Sequence, residues 1–188
     1  MKKVLFALLL GMATLAKAKD GFVTVPAVNL LDGNGYTRPA GSASITAGPW
    51  LASWLGGTAL GLSPTTGVTF TASTSIPDDA TKGDLAYIYA TVSYDNITDS
   101  ANLSTTAKMD ITSILDSASN TTAANTATVY AAKVVPLAAS SQLYDLEIGS
   151  FNAYPFQRVD LFFKRSAGAS GVLYVHRVFI RYKRSNWF

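Results

Sequence analysis

The sequence contains no cysteine, one histidine and one glutamate in 188 residues, and only 14% of its residues are charged. The lack of cysteine excludes a thiolate nucleophile, a cysteine zinc site and a disulfide framework. The only histidine, His176, has no serine and carboxylate that the sequence places around it, which argues against a nucleophilic triad. Hydrophobic residues make up 48% of the chain, so it is long and apolar enough to bury a core without disulfides.

Other catalytic and metal-binding signals are equally sparse. The sequence has neither a phosphate-binding loop nor a dinucleotide-binding fingerprint. Asp145 and Glu147 share a strand face, which is typical of an ordinary amphipathic strand as well as of a carboxylate pair for glycoside hydrolysis. Two acidic loops are candidates for calcium, although turns are rich in these residues anyway: Asp78, Asp79 and Asp84, and Asp95, Asn96 and Asp99. We predict no enzyme, cofactor or metal site, with calcium at the first loop as the open alternative.

Residues 1–20 have the three parts of a secretory signal. Lys2 and Lys3 form a basic start, an apolar run of about 13 residues follows, and Ala16-Lys17-Ala18 has the small-x-small form of a cleavage site. The run is too short for a bilayer span of about 20 residues. Two alternatives follow: an export leader, or an uncleaved apolar arm.

Residues 21–66 are rich in glycine and proline and show no clear periodicity. They fit an irregular apolar arm that lies on another surface, or an N-terminal strand pair of the domain that follows. Trp50, Leu51, Trp54 and Leu55 have helical spacing and predict one short amphipathic helix. Trp50 and Trp54 are therefore candidate interaction residues.

From residue 67 to residue 188 the pattern is that of a β domain. Short runs alternate apolar and polar residues, with turn signals about every dozen residues. The predicted strands are 68–73, 85–94, 108–115 (or a short helix), 127–135, 143–148 and two runs near the end, with polar loops at 95–106 and 116–126. This pattern predicts an all-β, antiparallel sandwich or barrel.

The stretch from Phe156 to Arg184 carries the strongest strand signal. Two runs flank a loop at residues 167–171, and this predicts a hairpin. In the second run Val172, Tyr174, Val178, Ile180 and Tyr182 are expected to face the core. Leu173, Val175, Arg177, Phe179, Arg181 and Lys183 are expected on the opposite face.

Charge is distributed unevenly along the chain. Residues 158–188 carry a net charge of +6, and residues 19–157 carry −6. Such asymmetry indicates a basic surface that meets an acidic partner or nucleic acid, or a solvated strand edge guarded by cations. We favour an assembly edge over nucleic acid, with these candidate interaction residues: Arg177, Arg181, Lys183 and Arg184.

Three segments together resemble a known group of proteins: GDLAYIYATVSYDN, YDLEIGS and RVDLFFKRSAGASGVLYVHRVFIRY. Over about residues 67–184 the pattern is similar to small jelly-roll β-sandwich proteins of phage and virus particles. The resemblance implies a jelly-roll sandwich with an N-terminal arm. It also implies a non-enzymatic minor capsid, decoration or appendage protein in the virion. Its partners would be copies of itself, with a trimer favoured, and neighbouring capsid proteins. The alternative is an exported bacterial sandwich module, periplasmic or extracellular, that binds a surface glycan or forms a filament.

Overall fold

The computed structural model describes residues 19–32, 49–64, 67–95, 101–110, 126–135, 142–167 and 170–185. Within these ranges the chain forms eleven strands and one short 3-10 helix, Ala27–Asn29. The strands are β1 (Asp20–Pro26), β2 (Leu31–Asp32), β3 (Trp50–Trp54), β4 (Gly57–Leu62), β5 (Thr69–Ser75), β6 (Leu85–Tyr94), β7 (Ala101–Asp110), β8 (Thr126–Val135), β9 (Tyr144–Asn152), β10 (Arg158–Ala167) and β11 (Leu173–Lys183).

The strands form two antiparallel sheets that enclose one core. The six-stranded sheet has the order β3-β4-β11-β6-β9, and β1 also pairs with β11. The five-stranded sheet has the order β2-β5-β10-β7-β8. Alternate residues of the long strands face inward, as the period of a half-buried strand requires. The predicted all-β antiparallel sandwich of jelly-roll type is confirmed.

Both sheets contribute apolar side chains to a single core. β6 supplies Ala86, Ile88, Ala90, Val92 and Tyr94, all completely buried. β10 supplies Val159, Leu161 and Phe163 from the opposite sheet, and the Phe163 ring stacks on Phe70 at 4.7 Å. Aromatic stacking of this kind adds to the gain from burying apolar area.

The last two strands do not form the predicted hairpin. β10 pairs with β5 and β7, whereas β11 pairs with β1, β4 and β6. The chain therefore crosses from one sheet to the other between them. The sequence signal for a hairpin is two strand-like runs joined by a short loop. A connection that crosses from one sheet to the other has the same two runs and the same short loop, so the sequence does not distinguish it from a hairpin.

The face assignment within β11 was wrong for its first residues. A β-bulge shifts the register between Val175 and Arg177, and an extra residue moves the following side chains to the other face. Leu173 and Val175 therefore join the core together with residues beyond the bulge. Tyr174, expected in the core, lies on the outer side against Trp54. The predicted faces hold only after the bulge, where Val178, Ile180 and Tyr182 are buried.

The predicted polar loop at 95–106 is wrong over residues 101–106, which begin β7. The inward residues are buried, namely Ala101, Leu103, Thr105 and Ala107, and Asn102, Ser104 and Thr106 alternate with them. Threonine is β-branched and suits a strand, so a run of threonine and serine does not by itself indicate a loop.

The glycine-rich residues 21–66 supply strands to both sheets where the structure describes them. β1, β3 and β4 belong to the six-stranded sheet, and β2 belongs to the other. The predicted helix around Trp50 is wrong. β3 and β4 form a hairpin whose two-residue turn, Leu55-Gly56, has φ of 50° and 78°, as the favoured two-residue hairpin turn requires.

The proposed division into a leader, an arm and a sandwich stays a prediction. Residues 1–18 lie outside the described part of the chain, and so does the leader predicted there. No helix among the described residues is long and apolar enough to cross a membrane.

Candidate functional site

The outer side of the six-stranded sheet carries a row of aromatic rings. Because the core residues of β6 are the even-numbered ones from 86 to 94, its odd-numbered residues point outward. These are Leu85, Tyr87, Tyr89, Thr91 and Ser93. Two tyrosines therefore lie one above the other on the surface of a central strand, separated by about 7 Å of strand rise.

The neighbouring strands add rings and cations to the same surface. Phe179 of β11 lies directly opposite Tyr89 in the register, and the two rings stack at 4.9 Å with an interplanar angle of 11°. Phe22 of the edge strand β1 packs against Phe179 at 6.2 Å and is 59% exposed. We call this surface the aromatic face, defined by six residues: Phe22, Tyr87, Tyr89, Arg177, Phe179 and Arg181.

Two arginines lie over rings of the aromatic face. The Cζ atom of Arg181 is 5.1 Å from the ring centre of Tyr87 and 5.4 Å from that of Tyr89. The Cζ atom of Arg177 is 5.1 Å from the ring centre of Phe179. These distances are those of cation–π contacts. The rings therefore help to hold the guanidinium groups in position on the outer side of the sheet.

A polar border runs along β9 on one side of the aromatic face. The hydroxyl of Tyr89 donates a hydrogen bond to Glu147 at 2.9 Å. Arg177 donates through Nε to the hydroxyl of Thr91 at 2.9 Å, and Thr91 donates to Asp145. Burial, aided by the bond to Glu147, raises the pKa of Tyr89, so this hydroxyl stays protonated and remains a donor at neutral pH.

A depression of about 220 Å³ lies at one end of the aromatic face. Its lining is formed by the ends of β1, β6 and β11: Asp20, Leu85, Tyr87, Arg181, Tyr182 and Lys183. Lys183 forms an ion pair with Asp20, and the hydrogen bond from Lys183 lowers the pKa of that carboxyl group. The depression thus brings an apolar wall, the face of an aromatic ring and a cationic side chain together in one small volume.

The other end of the same sheet surface carries the tryptophans. Trp54 stacks on Tyr174 at 4.7 Å and 9°. Trp50 lies over Gly61, where a Cβ atom would come within 2.8 Å of the indole. His176 is hydrogen-bonded to the hydroxyl of Ser93 at 2.8 Å, and burial lowers the pKa of its imidazole. This end is closely packed, and among the described residues the indole nitrogen of Trp54 is buried without a hydrogen-bond partner.

The outer side of the five-stranded sheet differs in chemistry. A shallow cavity of about 370 Å³ there is lined mainly by hydroxyl side chains around Phe162. Phe162 is 37% exposed and has the amine of Lys108 5.1 Å from its ring centre. A single ring among threonines and serines offers a smaller aromatic platform than the aromatic face does.

The structure brings together some of the residues that the sequence singled out and separates others. Arg177, Arg181 and Lys183 lie along the outward side of β11 beyond the bulge. Arg184 leaves this surface and pairs with Asp79 at 2.8 Å. Trp50 and Trp54 lie at the opposite end of the sheet. Whether these residues interact with a partner stays a prediction.

Sequence reasoning missed the tyrosines of β6 and Phe22. The run LAYIYATVSY is correctly predicted as a strand, and it lies in the interior of its sheet. Its signal was tyrosine, an amphipathic side chain, repeated at the outward positions 87 and 89. Phe22 gave no signal, because it lies in a glycine-rich stretch with no visible period.

The candidate catalytic and metal residues are placed as follows. Asp145 and Glu147 are exposed on β9 and already accept hydrogen bonds from Thr91 and Tyr89. Asp79 pairs with Tyr182 and Arg184. The described ranges contain no group of three or more acidic or histidine side chains placed to hold a metal ion. Part of the second predicted calcium loop, residues 96–100, lies outside them.

No protein-family model matches the sequence, and no curated protein matches it. Solved structures share its fold. The chain is similar to the CBM22-1 xylan-binding domain from Paenibacillus barcinonensis Xyn10C, with 13% identity, a TM-score of 0.51, and coverage of 90% of this chain and 99% of that domain. It is also similar to the CBM36-1 domain of a xylanase from the hindgut metagenome of Trinervitermes trinervoides, with 9% identity, a TM-score of 0.47, and coverage of 85% and 96%. The chain is also similar to a family two carbohydrate esterase from Cellvibrio japonicus, with 10% identity and a TM-score of 0.44. The match covers 88% of this chain and 35% of the esterase chain.

The prediction of a structural subunit of a virus or phage particle is wrong. It was based on a resemblance in strand pattern, and a xylan-binding domain shares this strand arrangement over nearly its whole length. These likenesses give no support to capsid partners, to a homo-oligomer or to a virion localisation. The β sandwich itself, which both interpretations had in common, is confirmed.

Proposed function

We propose that this chain is a non-catalytic glycan-binding module of an exported protein, and that the aromatic face is its binding surface. The observation that carries the proposal is the group of neighbouring rings on one sheet surface, of which Phe22 is exposed and Tyr87 and Tyr89 are partly exposed. Sugar rings present flat faces of C–H groups, which pack on aromatic rings, and edges of hydroxyl groups, which need hydrogen-bond partners. The aromatic face offers the rings, and the bordering side chains of β9 and β11 offer the partners.

The dimensions of the aromatic face suit a chain rather than a single sugar. Across the sheet the rings of Phe22, Phe179 and Tyr89 follow one another with centre-to-centre distances of 6.2 and 4.9 Å. The rings are held in place by one another and by the arginines. A rigid platform loses little side-chain entropy when a ligand binds. The fold that the chain shares with a xylan-binding domain supports the proposal, and makes xylan the first polysaccharide to test.

The experiment is affinity electrophoresis of the chain in native gels that contain xylan or one of a panel of other soluble polysaccharides, followed by calorimetry with oligosaccharides. Phe22→Ala and Tyr87→Ala, which remove rings from the aromatic face, are expected to raise Kd at least tenfold. Phe162→Ala, which removes the partly exposed ring of the opposite sheet, is the matched control and is expected to leave Kd unchanged. Urea unfolding checks that all three variants remain folded.

Two outcomes contradict the proposal. One is the absence of retardation with every polysaccharide in the panel. The other is an equal loss of binding in Phe162→Ala and in the two variants of the aromatic face, since the opposite sheet would then contribute as much as the proposed surface.

A further inference from the structure

We infer that the aromatic face binds an acidic polysaccharide, and that the guanidinium of Arg181 binds the carboxylate of a uronic acid residue seated in the adjoining depression. The inference rests on the proposed function, because it names the class of glycan that the same surface would take. It starts from the observation that, among the described residues, the neighbouring cations of this surface each have a carboxylate partner and Arg181 does not.

Each neighbouring cation already has a carboxylate. Arg177 lies 4.0 Å from Asp145, Arg184 lies 2.8 Å from Asp79, and Lys183 pairs with Asp20. Arg181 has no hydrogen-bond acceptor and no ion-pair partner in the part of the chain that the structure describes. Its guanidinium lies over the rings of Tyr87 and Tyr89, and its charge, after the hydrogen bond from Lys183, also helps to lower the pKa of the Asp20 carboxyl group. Its five N–H donors are therefore left for a ligand.

The geometry of Arg181 suits a planar anion. Its Cζ atom lies over the rings of Tyr87 and Tyr89, and these contacts hold the guanidinium on the outer side of the sheet. A guanidinium binds a carboxylate through two parallel N–H···O bonds, and a group that is already oriented loses less entropy when it does so. A lysine in this place would supply charge without this paired geometry.

The depression beside Arg181 supplies the remaining parts of a subsite. Its lining carries two cations, Arg181 and Lys183, and one anion, Asp20. The net charge of +1 matches one carboxylate. Leu85 and the ring of Tyr87 form apolar walls for the body of a sugar. Asp20 is engaged by Lys183 and does not neutralise Arg181 through a direct contact.

The experiment compares two forms of one polymer by calorimetry and affinity electrophoresis. The probes are xylan that bears glucuronic acid and the same xylan after chemical reduction of its uronic acids to neutral sugars. The wild-type chain is expected to bind the acidic form at least tenfold more tightly, and 0.5 M NaCl is expected to remove most of the difference. Arg181→Met is expected to abolish the preference, and Arg181→Lys to retain only part of it. Arg158→Met, on the opposite sheet, is the control and is expected to keep the full preference.

The outcomes separate the two proposals. Equal affinity for the acidic and reduced polymers overturns the carboxylate site while leaving glycan binding intact, and so does an undiminished preference in Arg181→Met. A further probe is dextran sulfate, whose affinity is compared with that of its neutral parent polymer, as for the acidic xylan. If dextran sulfate gains more affinity than the acidic xylan does, Arg181 binds a sulfate ester, and the assignment of a uronic acid is overturned. Failure to bind either xylan or any other polysaccharide overturns the proposed function itself.

Discussion

The Nη1 atom of Arg165 donates a hydrogen bond to the carbonyl oxygen of Leu62 at 2.7 Å, across 103 residues of chain. Leu62 ends β4 in the six-stranded sheet, and Arg165 lies in β10 of the five-stranded sheet. The same guanidinium donates to the carbonyl oxygens of Gly171 at 2.9 Å and Ser170 at 3.3 Å. Arg165 is completely buried and therefore fixes the corner at which the chain passes between the sheets.

We predict that Arg165→Met destabilises the domain by about 2–4 kcal/mol, because the carbonyl of Leu62, in a buried hydrogen bond, loses a charged donor that no solvent replaces. Arg158→Met is the matched control in the same strand. Arg158 is 63% exposed and pairs with Asp160 at the surface, so its loss should cost less than about 1 kcal/mol. Urea unfolding of both variants measures the difference, and equal costs would show that Arg165 does not hold the corner.

We predict that Gly61→Ala disturbs Trp50. A Cβ atom at this position would approach the indole to 2.8 Å, and overpacking of this kind costs about 1–3 kcal/mol. In Gly57→Ala, on the same strand, the nearest atom beyond the adjacent residues is 3.9 Å away, which is an ordinary contact. The first substitution should lower the melting temperature and change the tryptophan emission, and the second should alter both far less. A Gly61→Ala variant with unaltered emission would contradict the close approach of indole and glycine.

We predict a pH dependence of stability that originates at His176. Because burial lowers its pKa from the ordinary value of 6.5, the unfolded chain takes up this proton at a higher pH than the folded chain. The free energy of unfolding should therefore be complete above about pH 6.5 and fall as the pH decreases below it. His176→Gln should weaken this dependence without removing the part that is due to carboxyl groups.

The measurement for His176 is the urea midpoint of each protein at pH 7.5 and at pH 5.5. Glutamine retains a hydrogen-bonding side chain toward Ser93 but does not titrate. If the two proteins lose the same stability between these pH values, the imidazole is not the source of the effect.

The fold class could be predicted because alternation is a local property. In β6 and β10 the inward residues follow one another at every second position, and nothing interrupts the period. The crossing between β10 and β11 could not be predicted, because pairing partners such as Leu161 and Ala72 are distant in sequence. The helix predicted at Trp50 failed because four bulky apolar residues at helical spacing also fit a tight hairpin, in which Gly61 makes room for the indole of Trp50.

Of the residues in the candidate site, only the arginines could be predicted from the sequence. Arg177 and Arg181 have a strong sequence signal, since they alternate with apolar residues in a basic region. Arg181 lies over two rings of β6, and only the register of β11 brings Phe22 of β1 and Tyr87 of β6 to opposite sides of Arg181. Registers between strands so far apart in sequence are set by the packing of the whole sandwich.

The bulge at His176 divides β11 into two stretches, and the core positions are odd-numbered in one and even-numbered in the other. Before it, the odd-numbered positions 173 and 175 belong to the core, and after it the even-numbered positions 178, 180 and 182 do. A library that randomised the odd-numbered positions along this strand would therefore replace core residues before residue 176 and residues of the aromatic face after it. Positions 177 and 181 can be varied without touching a core position, provided that the extra residue is kept.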